Sequence, residues 1–348
     1  MWRSWIILTV TVLPACRNES ATLPAMVQVD SATVLVPSAS ETLGQPVDVA
    51  LDDAGNIYVL DRIRAQILVF APSGVLLDTI GREGSGPREF RSPQTLVVTP
   101  DTIRVVDIGN GVLKSLARHS DFERRTSLPA GTGASRLAVS RDGGLLGSTM
   151  GAREVLAVFQ DPAGQEVGTL GHTELPMTIA LNLVQLKRDI IAGKLPAIVQ
   201  YATLPVFAPN GEMWLILTGQ GIVQRYERDG SLLWAVPFAM PEKVAIWSAC
   251  VAWNREFLND QWSICLPAYA ADAVAEGGML WVLLNMPEGE PSVIVGFDST
   301  GRIVQRIRFQ QVKGARQFAL DRARGRVVFA ICSDASVVMA TFPFGVSK

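Results

Sequence analysis

Paired glycine turns recur along this 348-residue chain and restrict its fold more than any other feature does. Asp52-Asp53-Ala54-Gly55-Asn56 leads into the apolar run Ile57-Tyr58-Val59-Leu60. Gln66-Ile67-Leu68-Val69-Phe70 then leads to a second turn, Pro72-Ser73-Gly74. The layout returns at Gly143 and Gly164, at Gly211 and Gly230, and at Gly278 and Gly301, with the paired glycines 19 to 23 residues apart. A unit of this size cannot bury its apolar face alone. It has to stack on its neighbours, so the repeat dictates an architecture built by repetition.

Read by alternation and turn signals, strands dominate. Units cover roughly 46–81, 92–128, 134–171, 201–238 and 275–309, with a sixth from Gly314. The second unit replaces its glycine turns with Thr99-Pro100-Asp101 and His119-Ser120-Asp121. The sixth shows three strands only. Met26–Val29 or Ala32–Val36 can supply the missing one, and pairing the first strand with the last unit removes two exposed sheet edges at once. The expectation is an all-β six-bladed β-propeller over 26–348. Two mainly helical insertions, about 172–200 and 241–274, interrupt it. Both fall between units, so both should emerge on one face of the ring.

The N-terminus reads as a targeting segment. Arg3 is followed by the apolar Ile6–Leu13 and then Leu13-Pro14-Ala15-Cys16. That run is far short of the ~20 residues a spanning helix needs. It resembles a bacterial lipoprotein signal, with 1–15 removed, Cys16 lipidated and 16–25 a tether. Arg17 after the cysteine points by the same resemblance to the outer membrane. The expected address is the cell envelope, with membrane contact through the lipid anchor only.

Composition excludes several functions. A formal charge of −2 gives no electrostatic reason to propose nucleic acid as a partner. With only His119 and His172, no three-histidine site can form. No nucleophile elbow, zinc-protease helix or phosphate loop occurs, because Gly81–Gly86 lacks the Gly-Lys-Ser/Thr ending. No cofactor is expected. Beyond Cys16, Cys250, Cys265 and Cys332 remain. On one straight helix Cys250 and Cys265 would lie roughly 22 Å apart, so pairing requires the segment to fold back.

Asn56-Ile57-Tyr58-Val59-Leu60-Asp61, followed by Arg64-Ala65-Gln66-Ile67-Leu68-Val69-Phe70, resembles an NHL repeat. Gly81–Phe90 is similar to the connecting loop of bacterial six-bladed propellers of that type. The resemblance implies a family with ligand-binding, protein-binding and lyase members. Its amidating lyases hold zinc with three histidines, which this chain lacks. Its calcium-dependent lactonases use a Glu, Asn and Asp set facing the channel. Asp61, Asp107, Asn110, Asn285 and Asp334 are the residues to test for that role. The competing reading is that a short acid or amide at a strand end bonds the turn backbone.

Two further groups are candidates for binding. Arg82, Glu83, Arg88 and Glu89 either line a mouth or pair with each other while Phe90 packs inward. Trp247, Trp253 and Trp262 either pack a helix on the ring or form an exposed anchor patch. The expected function is an envelope module that binds a protein or small ligand. The alternative is a metal-dependent hydrolase or lyase working in the central channel.

Overall fold

The computed structural model describes residues 22–38, 41–120, 123–129, 137–149, 152–173 and 182–342. Cys16, the targeting segment and most of the tether lie outside the described residues, as does the 177–181 start of the first helical reading.

Six four-stranded antiparallel units form a closed ring, a six-bladed β-propeller. Met26–Val29 is β1 and Thr33–Val36 is β2. Blade 1 follows as β3 (Pro46–Leu51), β4 (Ile57–Asp61), β5 (Gln66–Phe70) and β6 (Leu76–Ile80), from the channel outward. Every residue of β4 is buried, whereas four of the five in β6 are exposed. A middle strand is covered by a blade on each side, which is why it reads as a continuous apolar run rather than an alternation. Met213–Leu217 and Met279–Leu284 show the same pattern. The turn glycines serve the hairpins: Gly55 sits at φ +85°, a conformation other residues rarely adopt, and donates its N–H to Asp52.

Ring closure uses both N-terminal segments, for different purposes. β2 pairs antiparallel with Ser336–Thr341 and completes blade 6, with Thr33 opposite Met339. β1 adds a fifth strand to blade 5 instead, parallel to Ile303–Lys313, with Met26 opposite Arg306. The edges of both closing blades are thereby covered.

The insertions occupy one face. The first holds α1 (Leu183–Ile191) and α2 (Ala197–Gln200); the second holds α3 (Pro241–Glu256). Asn182 caps α1 by accepting from the Gln185 N–H. Both insertions reach the Thr218–Gly221 turn of blade 4: Gln220 donates to the Gln200 carbonyl, and Lys243 donates to the Gln220 carbonyl at 2.7 Å. They also grip each other. Lys187 of α1 is fully buried and donates to the carbonyls of Phe257 (2.6 Å) and Asp260, beyond the C-terminus of α3. A cation there meets the negative end of the helix dipole. Cys250 and Cys265 are bridged, with Cα atoms 5.4 Å apart, so the chain does fold back after α3. Asn254 adds a second tie, donating to the Cys265 carbonyl (2.8 Å) and accepting its N–H (3.0 Å).

Candidate functional site

On the insertion-bearing face a groove of about 440 Å³ runs between the segment after α3 and two blade loops. Its walls include Ile246, Trp253, Trp262, Leu266 and Met286, and both bridged cysteines reach it. Trp262 is 89% exposed and Trp253 44%, the latter stacked on Phe257 at 4.5 Å. Trp247 lies elsewhere, half-buried against the core between blades 4 and 5. Of the three tryptophans, two therefore frame one concavity and one packs the helix down. Arg316 and Glu288 stand at the groove rim, and Asn285 reaches its floor.

The charged loop is tied to itself and to blade 2. Arg82–Glu83 and Glu89–Phe90 form a short parallel ladder. Glu89 accepts from the Gly86 N–H (2.8 Å) and from Arg82 Nε and Nη2 (2.9 and 2.8 Å). Those contacts, the backbone N–H first, hold its carboxyl below the usual range. Beneath it Lys114 is fully buried and donates to the carbonyls of Gly86 (2.9 Å) and Glu89. Desolvation lowers the Lys114 pKa. Arg88 donates through Nη2 to the Ala117 and Ser120 carbonyls, and its N–H donates to Glu123. Phe90 is fully buried, and a Cβ on Gly81 would meet its ring at 2.4 Å, so Gly81 allows the loop to close over it. Glu83 is exposed to solvent.

Three of the five strand-end residues share a repeated duty. Asp61 accepts N–H groups from Gly44 (2.6 Å) and Gln45 (3.0 Å), just ahead of β3. Asp107 accepts those of Arg91 and Ser92 (3.1 and 3.0 Å), just ahead of the inner strand Pro93–Val98. Asn285 donates to the Ala268 carbonyl (3.1 Å), ahead of the inner strand Ala270–Glu276. Each thus fixes the crossover entering its own blade. Asn110 braces Asp107 (2.6 Å) and the Gly84 carbonyl (3.0 Å), while Asp334 accepts from the Ser336 hydroxyl. None of the five lines the channel.

The channel, about 680 Å³, is lined by the six inner strands, and its polar groups escaped the sequence reading. Asp48 and Asp272 are buried on the inner strands of blades 1 and 5, each next to a register shift. Asp48 accepts from the Leu96 N–H (2.8 Å) of blade 2, and Asp272 from the Phe318 N–H (3.0 Å) of blade 6. Thr95 donates to the Leu137 carbonyl of blade 3, and Thr203 to the Ser148 hydroxyl of the same blade. These side chains stitch neighbouring blades around the axis. A polar residue in an apolar inner strand, as in Pro46-Val47-Asp48-Val49, was the available signal. At the opposite mouth, burial raises the Glu276 pKa, offset in part by Arg322. Among the described residues, no three His, Cys, Asp or Glu side chains converge where a metal ion could be held.

Comparison with known proteins agrees with this architecture. A family model described as a 6-bladed beta-propeller matches residues 35–143. No curated protein matches the chain by sequence. Among solved structures, a streptogramin B lyase superposes with a TM-score of 0.55 at 12% identity, over 89% of this chain and 97% of the other. A putative exported protein from Bacteroides fragilis NCTC 9343 gives 0.52 at 13% identity, over 90% and 98%. The calcium-binding protein regucalcin from Agrobacterium tumefaciens str. C58 gives 0.52 at 11%, over 91% and 95%. At such identities the likeness is one of fold.

Proposed function

We propose that this propeller is a binding module of the bacterial envelope, tethered through Cys16, that takes an apolar ligand or partner segment in the groove beside α3. The observation that carries this reading is the pair Trp253 and Trp262, held partly in solvent around a concavity of about 440 Å³. Large aromatic side chains left exposed on a rigid frame are the usual anchors of recognition, and the volume lies within the range of small-ligand sites. The frame is rigid because the disulfide, Asn254 and Lys187 all fix the segment that carries Trp262. The NHL-type repeat in blade 1 and the lipoprotein-like N-terminus support the same reading.

The test is a titration of the full chain with the apolar fluorophore Nile red. Saturable binding is expected, weakened about tenfold or more in Trp262→Ala and Trp253→Ala, since an anchoring tryptophan is worth about 2 kcal/mol. Unchanged affinity in both variants overturns the proposal. The rival reading, a metal-dependent hydrolase or lyase in the channel, takes its support from the channel volume and from Glu276 at the mouth. Glu276→Gln would then abolish turnover while leaving Nile red binding intact.

A further inference from the structure

We infer that the α3 side of the ring rests on a lipid surface, with Trp253 and Trp262 at the membrane–water boundary. The inference uses the Cys16 anchor of the proposed function and adds an orientation to it. This insertion leaves large apolar groups in solvent: Val244 is 67% exposed on the first turn of α3 and Leu266 38%, in addition to the two tryptophans. A soluble helix normally turns charge outward. Over its first three turns, α3 turns outward Pro241, Val244, Ala245, Ser248 and Ala252, and the first outward charges are Arg255 and Glu256. Tryptophan is the side chain that best suits a boundary where one end is apolar and the other wet.

The position of the described N-terminus selects lipid as the occupant. The Pro24 carbonyl accepts from Arg306 Nη1, and Nη2 of the same guanidinium pairs with Glu242 in the first turn of α3 (2.5 Å). The chain therefore enters the ring within one guanidinium of this helix. Only six peptide steps separate residue 22 from Cys16, a reach of at most about 22 Å when fully extended. An anchor at Cys16 holds the blade 4–blade 5 side, and with it α3, nearer the bilayer than any other side of the ring. Apolar surface kept that close to lipid gains by entering the headgroup region.

The experiment uses the full chain, purified from membranes and reconstituted into phosphatidylethanolamine–phosphatidylglycerol vesicles, with or without brominated acyl chains. Brominated lipid is expected to quench tryptophan emission, and Trp253→Phe/Trp262→Phe is expected to lose most of that quenching. Emission insensitive to brominated lipid, or quenching unchanged in the double variant, overturns the inference, as does a protein partner that shields Trp262 from the bilayer. Mass analysis of the N-terminal peptide tests the anchor separately. An acylated Cys16 with an unquenched Trp262 leaves the anchor standing and refutes the docking. Quenching that persists in a chain without acylation supports the docking and refutes the anchor.

Discussion

Replacing both bridged cysteines, Cys250→Ala/Cys265→Ala, separates two ties that look redundant in the structure. The bridge closes a loop of 15 residues. In the chain-entropy model its removal frees about 10 cal/mol/K in the unfolded state, or about 3 kcal/mol at 25 °C. For a folded body of roughly 320 residues, with an unfolding entropy near 2.1 cal/mol/K per residue, that is a fall in Tm of about 4–5 °C. The native loop should nevertheless stay in place, because buried Asn254 still holds both backbone groups of Cys265. Nile red affinity should then change less than about threefold, under 0.7 kcal/mol. Asn254→Ala with the bridge intact should behave oppositely. It strips two hydrogen bonds in the folded state, at about 1 kcal/mol each and more for groups left bare, and loosens the wall that carries Trp262. Thermal denaturation and Nile red titration, both in a Cys332→Ala background that removes the thiol outside the bridge, give the two readouts. If bridge removal costs under 1 kcal/mol, or if both variants lose affinity equally, the division between unfolded-state and native-state effects is wrong.

Three other outcomes are expected. Burial pushes the Tyr226 phenol up to about 12, from 10.0 in the unfolded chain. The unfolded state therefore releases its proton first, and stability present below pH 10 is lost progressively toward pH 12, by up to roughly 3 kcal/mol; Tyr226→Phe should flatten that part of the denaturation-versus-pH curve. Asp48→Ala and Asp272→Ala should each cost about 1–3 kcal/mol in denaturant unfolding, because each leaves a buried N–H of the next blade without its acceptor. Lys187→Ala should cost about 3 kcal/mol by baring the Phe257 and Asp260 carbonyls and opening a cavity; Lys187→Met should cost less, and equal Tm values for the two would show that the stem does not pack.

The ring was legible because its punctuation is local. Gly55 and Gly74 mark turns through their own backbone conformations, and the apolar runs between them have strand length. The shared face of the insertions followed from connectivity alone. The separate tasks of β1 and β2 did not, because both are four-residue strands and only their remote partners distinguish them. The site was legible only as residue types. Trp253 and Trp262 stood out, but their separation from Trp247 depends on which side of α3 Trp247 and Trp253 occupy and on how the chain folds back after it. Asp48 and Asp272 were passed over for a similar reason: their partners, Leu96 and Phe318, lie in the next blade and nearly 50 residues away.

Closure by β2 also sets an order of events. Thr33 is synthesised 306 residues ahead of Met339, its partner. Five blades can form while the chain is still emerging, but blade 6 cannot complete until the C-terminal strand arrives. Until then β2 and Ser336–Thr341 are both unpaired edges, the kind of surface that pairs wrongly with other chains. A contact across 306 positions is also slow to find, because loop closure precedes any gain from pairing. Loss of β2 or of Ser336–Thr341 should therefore act on the whole ring, leaving an open arc of blades with sticky ends.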